Sequence, residues 1–151
     1  MIFPSYNKWI ILSLSDYIQT YFGSVDYVWF QGMLRPKNEP TQRYEIRYLG
    51  PDIISQTQDM DTIHIAVNCQ ITTVKTPGDI ESHLIRVGNA QTMLRQCISV
   101  YRLGSDPVMD TKTLLGNLQQ ISNVETTSFG TVDPVSSAER STVEVTYKIV
   151  I

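Results

Sequence analysis

Hydrophobic positions recur along this chain at two periods, and the switches between them predict its elements. Tyr6, Ile10, Leu14, Tyr17, Ile18 and Tyr21 fall three and four residues apart, the spacing that draws one apolar stripe down a helix. A helix is expected from about Tyr6 to Phe22, with Ser5 behind Pro4 as its N-cap and Gly23 as a left-handed stop.

Strand signals follow. Val25 to Met33 (VDYVWFQGM) is rich in aromatic and branched residues and reads as a strand, with Gly32 at its end or in a bulge. Arg35-Pro36-Lys37-Asn38-Glu39-Pro40 is a turn-rich connection. Tyr44, Ile46 and Tyr48 then alternate with Glu45, Arg47 and Leu49, a second strand closed by Gly50-Pro51. Ile53 to Asp61 fits either a continued strand or a polar loop. From Ile63 to Thr73 apolar residues occupy every second position, the longest strand pattern in the chain.

Thr76-Pro77-Gly78-Asp79 carries start signals for a second helix: a cap, a proline for the first position and a carboxylate near the positive dipole end. Ile80, Leu84, Val87, Leu94, Cys97, Ile98 and Tyr101 extend its stripe to Arg102, with Gly104 as the stop. Unbroken, it would be ~39 Å long at ~1.5 Å per residue, with Gly88-Asn89 the place for a bend or split. A polar connection runs from Ser105 to Lys112, a fainter strand from Asn117 to Ser128, and a turn from Phe129 to Pro134.

The last strand starts at about Glu139. Val143, Val145, Tyr147, Ile149 and Ile151 alternate with Thr142, Glu144, Thr146, Lys148 and Val150. A strand with nothing after it frays unless a neighbour holds it, and the strand just before is the simplest antiparallel partner. Helix, three strands, long helix and two strands predict one α+β domain over 1–151. Its mainly antiparallel sheet of about five strands would carry the first helix and the long helix on one face.

Composition narrows the function more than the fold. The 151 residues are enough for one domain with a real core. Charged residues make up 18%, below the ~25% of ordinary globular chains, and neutral polar residues take their place. A net charge of −3 and a pI near 5.3 exclude a general nucleic-acid binder, which needs a basic face. They leave room for a protein that lets DNA pass without gripping it. The most apolar early run, Trp9-Ile10-Ile11-Leu12, is broken by Ser13, Ser15 and Asp16, far short of the ~20 residues of a membrane span. With no secretory signal visible either, a cytoplasmic protein without membrane contact is expected.

Catalytic, cofactor and metal sites are each expected to be absent. His64 and His83 have no His, Cys or carboxylate at ligand spacing. Cys69 in a strand and Cys97 on the helical stripe read as small buried hydrophobes, with a disulfide between them left open. On a straight helix His83 and Cys97 would stand ~21 Å apart at ~1.5 Å per residue, too far to act as a couple. No phosphate loop, nucleophile elbow or dinucleotide fingerprint is present. Arg35, Lys37, Arg43 and Arg47 outnumber Glu39 and Glu45, giving a modestly basic hairpin. Tyr44 and Tyr48 within it read more simply as core than as base-stacking platforms, so a contact with a neighbouring subunit is expected there. Asp52, Asp59 and Asp61 form the nearest thing to an acidic cluster, either a solvated loop or a patch facing a channel.

The element order, together with the closing segment FGTVDPVSSAERSTVEVTYKIVI, resembles the tail terminator and neck proteins of long-tailed bacteriophages. The resemblance implies a non-enzymatic homo-oligomeric ring, commonly a hexamer, assembled in the host cytoplasm and located in the virion neck. Such a ring stops tail-tube growth, joins the tube protein to the head connector or stopper, and leaves a channel through which DNA passes without specific binding. The competing expectations are a head-side connector or stopper, a small non-enzymatic protein-binding module, and an enzyme with an unrecognised site.

Overall fold

The chain folds mostly as β structure, which corrects the α+β expectation: the described residues hold two helices and one curled mixed sheet of seven strands. The computed structural model describes residues 3–23, 26–74, 80–103, 112–133 and 138–151.

The first helix, α1 (Phe3–Phe22), buries Ile10, Leu14, Ile18 and Phe22, which lie four apart on one line. It begins earlier than its stripe predicts. Pro4 therefore sits in the first turn, where its missing N–H costs nothing, and Ser5 lies inside the helix instead of capping it. At the other end the N–H of Gly23 donates to Gln19 O at 2.9 Å with φ +59°, the expected left-handed stop. Phe22 completes the stripe, and Tyr21 is exposed.

Val25 of the expected first strand lies outside the described residues, and of the rest Val28–Phe30 forms β1. It pairs in parallel with β2 (Arg43–Gln56), Val28 opposite Tyr44 and Phe30 opposite Ile46. Gly32 at φ +97° turns the chain back at once, with the N–H of Met33 donating to Phe30 O. Gly50-Pro51 does not close β2. The strand absorbs it as a register shift between Leu49 and Asp52 and continues to Gln56. The ambiguous segment Ile53–Asp61 is thus the end of a hairpin. Thr57 Oγ1 accepts from Met60 N–H and donates to Met60 O across its turn, and β3 (Asp61–Val74) returns antiparallel.

The second helix is the largest departure. Its start signals, Thr76 to Asp79, lie outside the described residues. From α2 (Glu81–Leu94) onward the helix passes Gly88 unbroken and then stops, and Ile98–Leu103 is a strand, β4. Ile98 and Val100 are buried and Ser99 is half-buried, so period two governs here. Cys97 follows the helix and is exposed, not buried; Cys69 is buried, and both thiols are free.

The single expected strand from Asn117 to Ser128 is two, β5 (Lys112–Gln120) and β6 (Glu125–Asp133). Phe129 to Asp133, expected as a turn, belongs to β6; Pro134 and Ser105 to Thr111 lie outside the described residues. The final strand, β7 (Ala138–Val150), pairs antiparallel with β6 as expected, with β5 at Gln119–Gln120, and with β3 along its other edge. The sheet order is β1-β2-β3-β7-β5-β4, with β6 also on β7. Alternate residues of β3 (Ile63, Ile65, Val67, Cys69, Ile71) and of β7 (Val143, Val145, Tyr147, Ile149) share one core with the buried faces of α1 and α2.

Candidate functional site

Three of the four basic residues singled out in the sequence converge on one carboxylate. Arg43, Glu45 and Arg47 alternate on β2 and so share a face, while Arg35 reaches in from the preceding loop. Arg43 Nε donates to Glu45 Oε1 at 2.6 Å; Arg35 Nη2 and Arg47 Nη2 donate to Glu45 Oε2 at 2.9 and 3.0 Å. Arg35 also pairs with Glu39 at 2.7 Å. The Arg35 and Arg47 guanidinium carbons stand 4.0 and 5.1 Å from the Trp29 ring centroid. Burial raises the Glu45 carboxyl, but the hydrogen bonds from Arg35 and Arg43 and the charge of Arg43 outweigh it, holding the group down at about 2.

Three of these cations are therefore engaged by carboxylates of the same chain. Counting Lys37, which is exposed outside this network, four cations face Glu39 and Glu45, so the patch is positive by two. Beside it Leu34 is 94% exposed, and Met33 is exposed over less than half of its surface. Glu45, Trp29 and Leu34 were not anticipated as site residues. The strand alternation put Glu45 with Arg43 and Arg47, but nothing local placed Arg35 or Trp29 there.

The acidic trio divides. Asp52 and Asp59 are exposed near the hairpin end, whereas Asp61 is 3% exposed and its Oδ2 has no hydrogen-bond partner. Asp61 is thus no part of a solvated loop. β1 covers only Tyr44 to Ile46 of β2, and Gln31 Oε1 accepts the next N–H, that of Tyr48, at 3.0 Å. Beyond it the pairings among the described residues leave the outer edge of β2 open. That half displays Leu49, Ile53 and Ile54, with Met60 in the turn, all exposed. From Tyr48 to Val74 the sequence holds no Lys or Arg.

A cleft of about 780 Å³ separates α1 from β4, walled by Trp9, Leu12, Tyr17, Tyr21 and Tyr101, with Asp16 and Cys97 among its lining. Ser13 Oγ accepts the N–H of Tyr101 at 3.0 Å, so α1 blunts that sheet edge. Tyr17 Oη donates to Met93 O at 2.8 Å, and burial, followed by the proximity of Tyr21, pushes its phenol up to about 12.

Beneath α2, His83 sits with Nδ1 2.8 Å from Thr73 Oγ1 and Nε2 2.9 Å from Ser141 Oγ. All three are buried, so this serine–histidine contact pins the helix to β3 and β7 instead of facing a cavity. Arg86, one turn on, donates to Thr72 O and Thr73 Oγ1, both at 2.7 Å, and to Asp26 Oδ1 at 3.2 Å. Among the described residues no group of three or more His, Cys, Asp or Glu could hold a metal ion, and no helix is long and apolar enough to cross a membrane. No protein-family model matches this chain, and no curated protein does.

Proposed function

We propose that this chain is a structural ring protein of a bacteriophage neck, a tail terminator that caps the tail tube and joins it to the head connector. The observation that carries the reading is the open half of β2, which displays Leu49, Ile53 and Ile54 beside an edge that no strand among the described residues pairs. A sheet edge with exposed apolar side chains is a pairing surface that isolated proteins avoid. Identical copies closing into a ring would cover it, and a hexamer is the expected state. The net charge of −3 disfavours tight binding of DNA in the lumen.

Light scattering on the purified protein, alone and with tail-tube protein, tests this reading. A ring in solution, or one formed on tube ends and visible by electron microscopy, is the expected result. A monomer that ignores the tube overturns it, and a ring that seats on the connector but not on the tube moves the protein to the head side as a stopper. The cleft between α1 and β4 favours a second reading, a small protein-binding module. Its expected result in the same measurement is a monomer that binds neither tube nor connector.

A further inference from the structure

We infer that neighbouring copies mate head to tail, the hairpin end of one subunit seating on the Leu34–arginine patch of the next. The inference rests on the ring reading and adds the surfaces that close it. The two surfaces are complementary in kind. The hairpin end carries apolar Ile53, Ile54 and Met60 with two exposed carboxylates, Asp52 and Asp59. The patch carries apolar Met33 and Leu34 with two uncompensated positive charges spread over Arg35, Arg47 and Lys37. Matched signs around an apolar centre steer encounter and fix register.

Geometry makes the contact intermolecular. Glu45, which anchors the patch, and Ile54, at the hairpin end, lie on one strand. At ~3.3 Å per residue they are roughly 30 Å apart, so the surfaces cannot meet within one copy. Contact between two different patches on identical subunits is heterologous. Such contacts propagate and close into a ring when the rotation allows, whereas a self-complementary patch stops at a dimer. The exposure of Leu34 fits this arrangement: a leucine 94% open in the single chain gains from burial only when another molecule arrives.

The test uses two substitutions at exposed positions, Ile54→Asp on the hairpin and Leu34→Asp on the patch. Each alone abolishes the assembly that the wild type shows by light scattering, while the variant still melts cooperatively by circular dichroism as a folded monomer. Mixed in equal amounts they form a dimer and nothing larger, because one intact hairpin meets one intact patch. A wild-type ring that survives either substitution, or a mixture that stays monomeric, overturns the inference and leaves the ring reading standing. A wild type that never assembles, alone or with tail-tube protein, overturns both. A second variant needs no disruption: Leu34→Cys with Ile54→Cys, on a Cys97→Ser background, oxidised with glutathione disulfide. A ladder of covalent oligomers under non-reducing electrophoresis supports the contact, and monomer alone overturns it.

Discussion

Asp61 and Ile151 exchange both of their backbone hydrogen bonds, Asp61 N–H to Ile151 O at 2.8 Å and Ile151 N–H to Asp61 O at 3.0 Å. The ladder between β3 and β7 thus reaches the end of β7, and β6 and β5 hold the opposite edge. The strand that the sequence shows as an unguarded alternation lies inside the sheet. Ending the chain after Glu144 removes Val145, Tyr147 and Ile149 from the core, all at most 2% exposed. Each is worth about 1.5–3 kcal/mol of burial, against about 5–15 kcal/mol for a whole domain. The truncated protein is expected to show no cooperative thermal transition by circular dichroism. Melting at the wild-type temperature would remove β7 from the core.

Glu45 makes stability depend on acid. Its folded carboxyl lies at about 2 against an ordinary 4.5, so folding favours the ionised form. That contribution is complete above the unfolded value and drains away as pH falls from about 4.5 toward 2. Glu45→Gln, which keeps the shape but loses the charge, should cost about 1.5–3 kcal/mol at neutral pH. It should also flatten the acid limb of a urea-unfolding series across that window. A variant with the wild-type acid profile would place the three arginines elsewhere.

The two cysteines should separate by reactivity. Burial pushes the Cys69 thiol well above its ordinary value, with the charge of Arg86 opposing it, while Cys97 is exposed beside the α1–β4 cleft. Thiolates react and buried thiols do not. Titration of the native protein with a thiol reagent is expected to modify one thiol promptly, the second only after denaturation, and Cys97→Ser should abolish the fast phase. Fast loss of both would contradict the burial of Cys69.

Legibility in the sequence followed the physics of each segment. β3 was plain because its inward positions from Ile63 to Ile71 are all apolar and the residues between them are mostly polar. The end of α2 was not. Leu94, Cys97, Ile98 and Tyr101 satisfy a helical stripe, while Ile98 and Val100 satisfy a strand. Pairing of Ile98 with Leu118 and of Val100 with Gly116 decided for the strand, a tertiary outcome that residues 94–101 do not contain. Gly50-Pro51 is an ordinary stop signal, yet the sheet absorbed it as a bulge. For the site, residue types identified Arg35, Arg43 and Arg47 as a group, but not that Glu45 gathers them or that Leu34 beside them lies open.

Arg86 is buried, and the shape of its side chain decides what can replace it. One guanidinium bridges Thr72 O, Thr73 Oγ1 and Asp26 Oδ1, and its central carbon lies 4.4 Å from the Tyr44 ring centroid. Thr72 and Thr73 belong to β3, Asp26 precedes β1 and Arg86 itself lies on α2, so the planar fork ties three parts of the fold together. A lysine keeps the charge but supplies a compact ammonium that cannot span those acceptors at once. Arg86→Lys is therefore expected to destabilise by about 1.5–3 kcal/mol in urea unfolding, the scale of hydrogen bonds to a charged group. The same exchange at exposed Arg102 should stay within about 0.5 kcal/mol. The loss should shrink when Asp26→Ala is already present, because the two side chains share one interaction. Equal effects at Arg86 and Arg102 would show that charge alone, without the fork, holds α2 in place.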